Sequence, residues 1–151
     1  MSSKIILNEY EQHFENDVFQ LQLVTTNNQK LYTVGNTIIW NFLTNNYVIK
    51  DLPMECIWIF FINGNDKIKG FVKVSLLDWK TNHPTETLRV ILSADVKKVI
   101  FALHLGQIQK SLEFSNTFTI MHNNLLEKFD IEVVDTLLVN DDNYYSLIEN
   151  C

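Results

Sequence analysis

Glycine, proline and cysteine are all scarce in this 151-residue chain, at 4, 2 and 2 residues. Four glycines cannot build a phosphate-cradling loop of the nucleotide-binding type, and no G-x-S-x-G elbow occurs. So little Gly and Pro also excludes a low-complexity chain. Cys56 abuts the apolar run IWIFF and reads as a small core residue, while Cys151 is the last residue of the sequence. A disulfide between a core residue and the last residue is not expected, and a zinc site is not expected because neither has a His or Cys at ligand spacing. The four histidines, His13, His83, His104 and His122, also lack that spacing and read as surface or satisfied core residues. Basic residues are few: 12 Lys and Arg stand against 18 Asp and Glu, for a formal charge of −6. That leaves no electrostatic footprint for a phosphate backbone, which argues against a nucleic-acid partner. No apolar run approaches the ~20 residues of a membrane span. The opening MSSKIILNEYEQ lacks the apolar segment of a secretory signal. The expectation is a cytoplasmic protein without a membrane span.

What the chain does have is an ordinary globular composition, 46% hydrophobic and 20% charged. The length fits one domain over 1–151, with no internal linker or repeat. Asparagine is frequent, including Asn27-Asn28, Asn45-Asn46 and Asn123-Asn124. That suits turns, since the Asn side chain bonds the local backbone and tolerates positive φ, although genome composition can produce the same bias.

The dominant hydrophobic period is two. Phe19, Leu21 and Leu23 alternate with Gln20 and Gln22, and Val72, Val74 and Leu76 with Lys73 and Ser75. Leu88, Val90 and Leu92 share a face, as do Val99, Phe101, Leu103 and Leu105. NTFTIMH alternates through Phe118 and Ile120, and FDIEV through Phe129, Ile131 and Val133. Such alternation predicts half-buried antiparallel strands. Two runs apolar on both faces, Ile38–Leu43 and Cys56–Ile62, predict central strands. Among the turns, Asn63-Gly64 carries the type I′ hairpin signal. The expected fold is therefore all-β, an antiparallel β-sandwich. One or two short helices are expected, within Leu105–Asn116 and within the C-terminal NDDNYYSLIEN.

No catalytic set is evident. Asp66 in NGND, and Asp141 and Asp142 in NDDN, lack the spacing of a calcium loop and read as a hairpin turn and a helix cap. Trp40, Trp58, Phe60 and Phe61 read as core. Trp79, Tyr144 and Tyr145 are the candidate exposed partner contacts. An exposed sheet edge would also allow pairing between subunits.

The stretch ETLRVILSADVKKVIFALHL, Glu86–Leu105, with LEFSNTFTIMHNNLLEKFDI, Leu112–Ile131, resembles the tellurium-resistance TerD domain family. In that family an acidic residue precedes a strand, an ADV-K link and a second strand. Upstream, VFQLQLVTTNNQKL and IIWNFL are similar to further strands of the family. The resemblance implies a calcium-binding β-sandwich with a role in stress response. The family's Asp-x-Asp falls here on Gln20 and Gln22, and its acidic, glycine-rich loop is replaced by LDWKTNHPTE. Neutral amides lack the charge that gives calcium its affinity. The two glutamines are then either a degenerate metal site or ordinary solvent-facing residues of an alternating strand, and both readings predict no tight calcium binding and no cofactor. Two functional classes follow. One is a divergent TerD-like stress-response protein acting by protein–protein contact without catalysis. The other is a small acidic interaction protein, such as an immunity protein or a phage or viral inhibitor of a partner protein.

Overall fold

The computed structural model describes residues 5–25, 31–47, 55–75, 85–104, 108–140 and 143–148. The chain runs β1 (Glu9–Glu15), β2 (Val18–Thr25), α1 (Asn36–Asn46), β3 (Cys56–Ile62) and β4 (Ile68–Ser75). It continues through α2 (Thr85–Ala94), β5 (Lys98–His104), α3 (Ile108–Glu127), β6 (Glu132–Val139) and β7 (Tyr144–Ser146). Strand is the commonest structure. The described strands form one seven-stranded sheet in the order β2-β1-β4-β3-β5-β6-β7.

The sheet is mixed, which corrects the purely antiparallel expectation. β1 and β4 are parallel, as are β5 and β6; the β1–β2, β3–β4, β3–β5 and β6–β7 pairs are antiparallel. The described strands do not make two facing sheets. Each face of the one sheet carries its own apolar cluster beneath helices. Ile57, Ile59, Phe61, Val72, Val74, Val99, Phe101 and Leu103 pack under α2 and α3 through Val90, Ile91, Ala94, Phe118 and Leu126. On the other face Cys56, Trp58, Phe60, Ile62, Ile100, Ala102 and Leu137 pack under α1 through Ile39, Phe42 and Leu43.

Three segments expected as strands are helical, each for the same reason. In α1 the buried residues are Ile39, Phe42 and Leu43, spaced for one helical face. Burying each contributes about 1.5–3 kcal/mol. That outweighs the roughly 0.5 kcal/mol lost at each β-branched or Asn position of the helix. In α2 the buried set is Glu86, Thr87, Val90, Ile91 and Ala94, and Leu92 is exposed, so the period is 3.6 and not two. In α3 Phe118, His122 and Leu126 point inward at i, i+4 and i+8, while Ile120 faces out. The helix expected to end near Asn116 therefore runs on to Glu127 and absorbs NTFTIMH. FDIEV is the turn out of α3 and only the start of β6, and the expected C-terminal helix is the short strand β7, joined to β6 through an Asn140–Asn143 turn.

Scarce glycine leaves a mark on the backbone. Among the described non-glycine residues, positive φ occurs at Asn16, Asp17, Asp66, Asp95 and Asp130, all Asn or Asp. These side chains tolerate the left-handed region better than others do. Asn16 and Asp17, with φ of 52° and 63°, form the two-residue link between β1 and β2, the geometry of a type I′ hairpin. The β3–β4 hairpin predicted at Asn63-Gly64 is present, but by other means. Neither Asn63 nor Gly64 takes positive φ; the Asn63 carbonyl accepts from Asp66 N–H at 3.1 Å, and Asp66 supplies the left-handed residue. The Asn63 side-chain oxygen accepts from the N–H groups of Asn65 and Lys67 and fixes the turn. Replacing Asp17→Val should destabilise the fold by about 1–2 kcal/mol in urea unfolding, whereas Asp17→Gly should change it by less than about 0.5 kcal/mol.

Candidate functional site: an acidic hairpin arm

β1 and β2 form an arm on the rim of the sheet. β1 meets β4 only at Glu9↔Phe71 and Tyr10↔Val72, while its pairing with β2 runs from Glu9 to Glu15. The root of the arm needs a glycine. A β-carbon on Gly70 would lie 2.5 Å from Tyr10 Cε2 and 2.8 Å from the Asn8 carbonyl oxygen, so only the bare backbone lets the two chains cross. The Asn8 side chain donates to Lys69 O at 2.9 Å, its carbonyl accepts from Phe71 N–H, and the Tyr10 ring meets Phe61 edge-on at 5.9 Å.

Alternation then divides the arm into two faces. The inner face lies on α2. Gln12 donates its Nε2–H to Glu86 Oε1 at 2.6 Å. The Arg89 guanidinium sits 4.8 Å from the Phe14 ring centroid and 4.6 Å from that of Phe19, a cation held over two rings. The outer face carries Glu9, Glu11, His13 and Glu15 from β1. The exposed glutamines Gln20 and Gln22 of β2 lie opposite His13 and Glu11. The strand and its two glutamines are thus where the alternating pattern put them, on a solvent-facing surface. Glu9–Val24 contains Glu9, Glu11, Glu15 and Asp17 and no Lys or Arg. The arm also exposes apolar groups: Phe14 is 57% accessible, Val18 56%, Val24 52% and Leu23 47%.

Cations gather elsewhere, and Lys67, Lys69 and Lys98 are engaged there. Lys69, Lys97 and Lys98 line a cleft of about 410 Å³ beside the β3–β4 turn, with Asn63, Gly64 and Asp95. Lys69 Nζ donates to Ala94 O at 2.6 Å and caps α2, Lys98 pairs with Asp66 at 3.0 Å, and Lys67 Nζ donates to Thr33 Oγ1. A second cleft of similar size, lined by Asn123, Glu127, Asp130 and Glu132, opens at the end of α3. Among the described residues no three His, Cys, Asp or Glu side chains converge as metal ligands.

The other sequence candidates are dispersed. Tyr145 is exposed on β7, but Tyr144 is half-buried with its ring 5.7 Å from that of Trp40, so it serves packing more than contact. Trp79 lies outside the described residues. Cys56 is buried and unbridged, and burial pushes its thiol up to about 11, which keeps it protonated and inert. His122 is a core residue. Its Nδ1–H donates to Phe118 O at 2.9 Å and its ring stacks on Phe118 at 3.9 Å.

Sequence reasoning missed one polar centre. Asp135 is buried in β6 and accepts four hydrogen bonds: from the Asn36 amide at 2.9 Å, Ser146 Oγ at 2.5 Å, Thr136 N–H at 2.7 Å and Ile148 N–H at 3.3 Å. It ties the first turn of α1, β6 and the residues around β7 into one knot. A lone acid inside the apolar run VVDTLLV was the available signal.

No protein-family model matches the chain, and a search of curated proteins finds no significant relative. Among the described residues no helix is long and apolar enough to cross a membrane.

Three substitutions test these contacts. Gly70→Ala should cost about 1–3 kcal/mol, and Arg89→Ala about 0.5–2 kcal/mol. Both should raise amide exchange from Tyr10 to Leu23 while β3 and β5 stay protected. Asp135→Ala, which leaves buried donors unpaired, should cost roughly 2–4 kcal/mol in urea unfolding.

Proposed function

We propose that this protein works by protein–protein contact without catalysis, with the outer face of the β1–β2 arm meeting a basic surface on its partner. The observation that carries this reading is the outer face with exposed Glu11 and Glu15 and half-buried Glu9, on a segment that holds no Lys or Arg. A surface of one sign steers an oppositely charged partner and selects against acidic ones. Val18, opposite Glu15 and 56% accessible, adds apolar contact area beside the charge. This is the small acidic interaction protein of the two classes above, comparable in kind to an immunity protein or a phage or viral inhibitor, working in the cytoplasm without a cofactor. A TerD-like role gains no support from the fold. In the stretch that carried the resemblance, β5 is a strand as expected after the ADV-K link, while α2 and α3 are helices where strands were expected.

The test is a pull-down from the source cells with wild-type bait and with Glu11→Lys/Glu15→Lys bait. The wild type should retain a basic protein. The variant should retain it at least ~tenfold more weakly, and added salt should reduce wild-type binding. A partner held equally by both baits, at all salt concentrations, would overturn the proposal.

A further inference from the structure

We propose that the outer edge of β2 pairs with β2 of a second copy of this chain, as an antiparallel two-fold ladder centred on Leu21. The sheet order ends at β2, and no described strand lies beyond it. Edge strands are normally blunted by Lys, Pro or inward-pointing charge. β2, VFQLQLVT, has none of these. Its one protective feature is a bulge at Val24, where Tyr10 pairs Leu23 but Glu9 pairs Thr25.

A two-fold contact must be self-complementary: if one residue faces another, the second must face the first. β2 satisfies this by its sequence. Val18-Phe19-Gln20-Leu21-Gln22-Leu23-Val24 reads nearly the same in both directions about Leu21. In the paired edge Leu21 faces its own copy, Gln20 faces Gln22, Phe19 faces Leu23 and Val18 faces Val24. Each amide both donates and accepts, so the Gln pairs are satisfied in either direction. The apolar pairs cover Val18, Leu23 and Val24, which are about half-exposed in the single chain. The backbone pairing is Phe19–Leu23, because the bulge closes it at Val24; Val18 and Val24 meet only through their side chains at its two ends.

Charge favours a second copy over a foreign basic strand. β2 itself offers no charge to attract one, and the acids of β1 stand off the outer face, not along the edge. Across β1, β2 and their copies, Glu11 lies in line with His13 of the second copy, three strand spacings or about 14 Å away, and its own counterpart, two residues along the strand, is farther still. That exceeds the ~8 Å screening length at physiological salt. Two chains of charge −6 therefore repel at low salt and associate better as salt rises.

Sedimentation of the full chain over a range of concentrations and salt tests this. The wild type should form a dimer that tightens with salt, opposite in sign to binding through the acidic face. Q20K/Q22K sets like charges across both Gln pairs and should weaken the dimer ~tenfold or more. Q20E/Q22K sets opposite charges across the same pairs and should return it to within ~threefold of wild type. Both positions are exposed, so unchanged melting temperatures will show that each variant is folded. A wild type that stays monomeric, or two variants that dissociate alike, would overturn the proposal. Glu11→Lys/Glu15→Lys should keep the dimer, so this proposal and the acidic-face reading fail separately.

Discussion

The structure depends on the burial of β3 along its whole length. All residues from Cys56 to Ile62 are buried. Neighbouring side chains on a strand point to opposite faces, so a strand buried throughout must be covered on both sides. α1 covers one side and α2 with α3 the other, and each side closes its own apolar cluster. A two-layer sandwich leaves the outer face of each sheet in water and cannot satisfy such a strand. The mixed sheet follows too. Once a helix links neighbouring strands, as α3 links β5 to β6, the strands can run parallel.

Turns and buried polar groups are arranged around that constraint. With few glycines, the chain changes direction at Asn and Asp residues in the left-handed region, each at modest cost. Glycine is indispensable where backbones cross, as at Gly70 under Tyr10. Among the described residues, Asp135 is the buried acid that gathers four donors, and it lies where α1, β6 and β7 meet. A buried carboxyl group is tolerable only when such partners satisfy it, so the knot holds the far edge of the sheet to the helix above it.

Much of the sheet was legible in the sequence. β2 and β4 alternate and β3 is apolar throughout, and each was placed where it lies; β5 was also placed, but it is buried on both faces from Val99 to Leu103 and not half-buried as its alternation suggested. The helices were not, because over seven to ten residues the two periods overlap. Leu88, Val90 and Leu92 suit a strand, while Thr87, Val90, Ile91 and Ala94 suit a helix, and the choice is made by what lies beneath. β-branched Ile38 and Ile39 pulled α1 toward strand in the same way, and tertiary burial overrode the preference. The site was legible only in part. Gln20 and Gln22 were singled out, but their relation to Glu11, His13 and the sheet edge needs the register. The Asp135 knot joins residues about a hundred positions apart, which no local pattern records.

The arm stands apart from these constraints, and that is the physical case for placing function there. Its inner face is fixed by Gln12 on Glu86 and by Arg89 over Phe14 and Phe19, which holds it to the body. Its outer face and free edge support no core, so their composition is not dictated by folding. Protection against association would favour a lysine or proline on an exposed edge and a mixture of charges on an exposed face. The chain instead presents an edge with no charge and a face with charge of one sign. Each departure leaves a surface prone to association, and the two differ in what they admit: backbone pairing at the edge, and a basic surface over the face.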